Sequence, residues 1–91
     1  MPTRIHATVR GRVQGVGYRF FARRVALEAR LTGWVRNCSD GSVELEAQGE
    51  RPHLEALAAR LEQGPALAQV TAVALSERPL QHGEQGFEVR D

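Results

Sequence analysis

An α+β sandwich in the order βαββαβ, with two helices on one face of an antiparallel sheet and a short extra C-terminal strand, is the fold class this sequence predicts. Three observations predict it. Ile5, Ala7, Val9, Gly11 and Val13 alternate with polar residues, as Val43, Leu45 and Ala47 do again, which is the two-residue period of strands with one buried face. Two separate runs repeat apolar residues at i, i+3, i+4 spacing, the period of a helix lying on that face. Glycine, Asp-Gly and Gly-Pro junctions separate these runs at the intervals that short connections require.

The first strand carries His6, Thr8, Arg10 and Arg12 on its outer face, so His6 is expected to be solvated. It leads into Gly11-Arg12-Val13-Gln14-Gly15-Val16-Gly17-Tyr18-Arg19, a strand, a tight loop and a helix start. Glycines permit positive φ and close approach of a ligand to the backbone amides, and a helix N-terminus adds unpaired N–H groups with a partial positive charge. Arg19 adds a planar fork of donors matched to phosphate or carboxylate oxygens. On spacing alone the loop is either an anion cradle or a βα turn whose glycines serve the backbone only.

From Arg19 to Leu31 the chain reads as a helix, with Phe21, Ala22, Val25, Ala26 and Ala29 toward the core. Phe20, Leu27 and Leu31 fall on another side and are expected to cover a sheet edge. Gly33 is placed to end this helix, and Trp34-Val35-Arg36-Asn37 follows as a short strand. Asp40-Gly41 is a hairpin turn, with Cys38 an uninvolved thiol beside it. Glu44 and Glu46 then face water while Val43, Leu45 and Ala47 face the core. Pro52 suits a first helical turn; Leu54, Leu57, Ala58 and Leu61 form the second packing stripe, His53 is exposed, and Gly64-Pro65 ends the helix. Val70 to Leu75 is β-prone, Arg78 to Gly86 is a polar loop, and Phe87-Glu88-Val89-Arg90 is a brief last strand. Two split βαβ units in this order give a ferredoxin-like sandwich.

Composition restricts the function. Ninety-one residues are one domain's worth of chain. A net charge of +1 and 5% aromatics provide neither a basic field nor a row of stacking platforms, and Glu44 and Glu46 stand where an RNA-binding sheet needs aromatics. No nucleic-acid partner is expected. One cysteine and three scattered histidines match no metal spacing and allow no internal disulfide, which points to a reducing cytoplasm and no metal. No apolar run reaches the roughly 20 residues of a membrane span.

Taken together, the glycine loop ending in Arg19, Gly33-Trp34-Val35-Arg36-Asn37, Asp40-Gly41-Ser42-Val43-Glu44, Gln48-Gly49, Gly64-Pro65 and Phe87-Glu88-Val89-Arg90 resemble the acylphosphatases over nearly the whole chain. The resemblance implies a ferredoxin-like fold over residues 1–91 and metal-independent hydrolysis of the carboxyl–phosphate bond, with no cofactor. It implies that Arg19 and the amides of Gln14, Gly15, Val16, Gly17 and Tyr18 bind the phosphoryl group, and that Asn37 positions water. The expected partner is a small-molecule acyl phosphate, taken by a monomer. The alternative is a module that binds acyl or carbamoyl phosphate without rapid turnover. Tyr18 is expected to pack its ring beside the loop, and Arg23, Arg24 and Arg36 to be solvated.

Overall fold

The computed structural model describes residues 1–91. Strand β1 spans Pro2–Arg12, helix α1 Tyr18–Glu28, β2 Thr32–Asn37, β3 Val43–Glu50, helix α2 Arg51–Gln63, β4 Gln69–Arg78 and β5 Phe87–Arg90. The strands form one sheet in the order β4-β1-β3-β2-β5. The first four pair antiparallel, as the alternating patterns require, and β5 joins the edge parallel to β2. The extra strand therefore makes the sheet mixed.

Register puts the small and branched residues of neighbouring strands opposite one another, Ala7 against Leu45, Val9 against Val43 and Val35 against Leu45. All five are completely buried beneath Phe21, Ala22, Val25 and Ala26 of α1 and Leu54, Leu57 and Leu61 of α2. Burying each large aliphatic side chain contributes about 1.5–3 kcal/mol before chain entropy is counted. That stripe is what fixes both helices to the same face.

The end of α1 differs from expectation. The helix stops at Glu28, and Arg30 takes a left-handed conformation with φ 58. The Arg30 N–H donates to the Leu27 carbonyl and the Leu31 N–H to the Ala26 carbonyl, which is the paired bonding of a Schellman turn. Leu31 thus leaves the helix and becomes buried, while Phe20 and Leu27, which remain on it, are exposed rather than covering a sheet edge. Gly33 does not end the helix. It sits inside β2 at φ 152, where an added Cβ would lie 1.9 Å from the Glu46 carbonyl oxygen, so the close approach of β3 is what demands glycine.

The outer face of the sheet is charged, and the part of it around Arg4 is covered. Arg4 is 0% exposed, its Nε 2.6 Å from Glu46 Oε1 and its two terminal nitrogens 2.8 and 3.1 Å from the Glu84 carboxylate. Gln48 exchanges two hydrogen bonds with the backbone of Gln81, so the loop after β4 lies across this face and is clamped to β3. His6 is not solvated either: its Nε2 lies 2.9 Å from Glu44 Oε2, and Arg36 holds the other oxygen of the same carboxylate. The hydrogen bond with His6 and then Arg36 outweigh desolvation and hold the Glu44 carboxyl below its ordinary range.

Candidate active site

The loop between β1 and α1 opens at the C-terminal end of β1, next to the hairpin that joins β2 to β3. β1 carries a bulge between Arg10 and Gly11 in its pairing with β4, and bulges of this kind re-aim a strand end. Gly15 and Gly17 then take positive φ values of 75 and 78, and an added Cβ at either would touch nothing within 4 Å. Here conformation, not crowding, calls for glycine. Gly17 is the N-cap of α1 and offers no side chain to its first turn, nor is there an acidic residue in that turn. The leading N–H groups of α1 are left free of side-chain partners, and the positive end of the helix dipole faces the loop.

Gly15, Gly17, Tyr18, Arg19, Phe20 and Asn37 line a cavity of about 140 Å³ beside that helix end. Arg19 and Asn37, eighteen positions apart in sequence, thus share one wall system because β2 ends beside the loop. One Nη of Arg19 donates to the Arg90 carbonyl at 2.8 Å, so the added strand β5 braces the guanidinium. The remaining donors of the fork stay available. Arg23, one turn further along α1, donates to the Phe87 carbonyl at 3.0 Å and is not simply solvated.

Gln14 and Val16 do not line the cavity with their side chains. The Gln14 Nε2 donates to the Cys38 and Ser42 carbonyls at 2.7 and 2.9 Å, which ties the loop to the hairpin that follows Asn37. Val16 packs against the core. Tyr18 is 1% exposed and donates its hydroxyl to the Leu61 carbonyl at 2.7 Å, joining α1 to the end of α2. Burial pushes its phenol well above the ordinary range, so only its backbone amide is of use to an anion.

The hairpin itself is set by Asp40, whose carboxylate accepts from the Ser42 hydroxyl at 2.6 Å and the Ser42 amide at 3.0 Å. These two bonds, with Arg10 behind them, bring its pKa down to about 2. No three His, Cys, Asp or Glu side chains come together in a set that could hold a metal ion. Phe20, at the rim, is the lining residue that no motif singles out; its place directly after Arg19 is the one signal for it.

An open-ended helix N-terminus, a braced guanidinium and a carboxamide around a cavity of this size define a class of protein: an α+β sandwich with a site for a small anion and a group able to orient water. Within that class the chain belongs to the acylphosphatase family, whose family model matches residues 5–89. It is 41% identical over 86 residues to an acylphosphatase from Geobacillus thermodenitrificans, covering 94% of this chain and 92% of the relative. An acylphosphatase structure from Coxiella burnetii superimposes with a TM-score of 0.93 at 45% identity, over 98% of this chain and 93% of that one. The acylphosphatase of Bacillus subtilis gives 0.94 at 33% identity over the full length of both. The protein is accordingly a hydrolase acting on acyl phosphates.

Proposed function

We propose that the chain hydrolyses the carboxyl–phosphate bond without a metal, that Arg19 and the backbone amides from Gln14 to Tyr18 grip the phosphoryl group, and that Asn37 orients the attacking water. The observation that carries this reading is the convergence of Arg19, Asn37 and the glycine loop on one cavity at an uncapped helix N-terminus. We further infer a monomeric, cytoplasmic, single-domain enzyme with no nucleic-acid partner.

The chemistry needs little more. An acyl phosphate releases a carboxylate whose conjugate acid has a pKa near ~4, so the leaving group departs at neutral pH without a proton donor. Negative charge spreads over the equatorial oxygens in the transition state, and catalysis consists of positioning and charge stabilisation. Fixed amides and a guanidinium supply that stabilisation without reorganising. The Asn37 carboxamide accepts from water through its oxygen and donates through its nitrogen, so it orients a nucleophile but does not take its proton. The substrate's own phosphoryl oxygens receive that proton.

The test is hydrolysis of benzoyl phosphate in EDTA by the native chain, Arg19→Ala and Asn37→Ala. Arg19→Ala is expected to lower kcat/KM on the order of 10³-fold or more, the scale of a lost transition-state arginine. Asn37→Ala is expected to lower kcat about 10²-fold while inorganic phosphate still inhibits competitively. A folded Arg19→Ala protein with most of its kcat/KM intact would remove Arg19 from the site. Native protein that binds phosphate yet shows no turnover would favour a binding module for acyl or carbamoyl phosphate.

A further inference from the structure

Among the residues lining the cavity, Phe20 is the one that the phosphoryl chemistry leaves unused. Its ring is 66% exposed, because α1 turns about 100° per residue and the next position, Phe21, occupies the core. A single exposed aromatic is ordinary on a protein surface. Its place on the rim of the anion site is the informative part.

The cavity of about 140 Å³ opens to solvent beside the exposed Phe20. In-line displacement sends the leaving carboxylate away from the water, so the acyl group has to project past the rim. Two lining residues are apolar in character, and Tyr18 is buried with its hydroxyl tied to Leu61. Phe20 alone offers an open face.

We propose that Phe20 is a specificity-determining residue: its ring is a platform for the acyl part of the substrate, so that the site selects acyl phosphates with aromatic or bulky apolar acyl groups over small ones such as acetyl phosphate. The proposal rests on the acyl phosphate reading of this cavity. The carboxylate leaves toward solvent while the apolar portion attached to it lies against the ring in an offset or edge-on contact.

The test compares kcat/KM for benzoyl phosphate and acetyl phosphate in the native chain, Phe20→Ala and Phe20→Trp. Because variants are compared on the same two substrates, differences in leaving-group reactivity cancel. Phe20→Ala is expected to lower the benzoyl-to-acetyl ratio about three- to tenfold, the scale of one aromatic contact, and Phe20→Trp to keep it. Both substrates slowing equally in Phe20→Ala would make the residue merely structural and overturn the proposal. A ratio that rises would do the same, since it would make the ring an obstruction. Native protein that turns over neither substrate would remove the hydrolase assignment itself, and the proposal with it.

Discussion

Both amide hydrogens of Gln14 are committed to the hairpin carbonyls of Cys38 and Ser42. A side chain that the sequence presents as part of an anion loop is therefore also the clamp that holds that loop against the residues following Asn37. Removing it leaves the Cys38 and Ser42 carbonyls with only the backbone donors of the hairpin itself, the Gly41 and Cys38 N–H groups, and loosens the spacing between Arg19 and Asn37. Gln14→Ala is expected to lower stability by about 1–2 kcal/mol, the net worth of two part-buried hydrogen bonds, measured by urea unfolding. On the roles proposed for Asn37 and Arg19, it should also lower kcat more than it raises KM for benzoyl phosphate, because water positioning suffers before phosphate binding. An unchanged unfolding midpoint would deny the clamp. At this scale the sequence picks out Arg19 and Asn37 by type and motif position, and the fold places both on one cavity. The sequence conceals residues defined by a distant partner: nothing near His6 announces Glu44, and nothing near Arg4 announces Glu84.

Helix α1 shows how an element's existence can be legible while its end is not. The apolar spacing from Phe21 to Ala26 identifies the helix, and Gly33 looks like its stop. The left-handed residue that ends it is instead Arg30, a type that adopts this conformation only at a cost. What compensates is the Schellman bonding to Ala26 and Leu27 together with burial of Leu31. Glycine was needed later, at Gly33, for a close approach between strands that no local pattern reveals. The expected consequence is that Arg30→Gly stabilises the protein by about 0.5–1 kcal/mol, relief of left-handed strain exceeding the added unfolded-state entropy. Thermal unfolding would show it as a rise of a few degrees in Tm. A lower Tm would mean that the Arg30 side chain contributes more than its backbone costs.

Over the whole molecule, the order βαββαβ and the one-sided placement of both helices follow from hydrophobic period alone, because period 2 and period 3.6 each allow one buried face here. The parallel addition of β5 and the path of the loop before it do not follow, since they depend on Arg4 meeting Glu84 across the outer face, 80 positions away. That pair joins β1, β3 and the crossover loop, and through the loop it sets β5, whose Arg90 carbonyl braces Arg19. Burial alone would raise the Glu84 pKa, but the hydrogen bonds from Arg4 outweigh it and hold the carboxyl below its ordinary range. A carboxylate with a depressed folded pKa contributes stability that is present above its unfolded value, near ~4.3, and lost as pH falls through the folded value. Asp40, with a folded pKa of about 2, extends the same acid window downward. Arg4→Met removes the buried cation and leaves Glu46 and Glu84 without their shared partner. The variant is expected to lose about 3–5 kcal/mol at pH 7. The gap in Tm between native and variant should be widest at pH 6–7 and should narrow below pH ~4, where the native protein also begins to protonate Glu84 and lose the pair. A gap that stayed constant from pH 7 to pH 3 would show that Arg4 acts through its packing rather than its charge, and that the crossover loop is held by the Gln48 clamp alone.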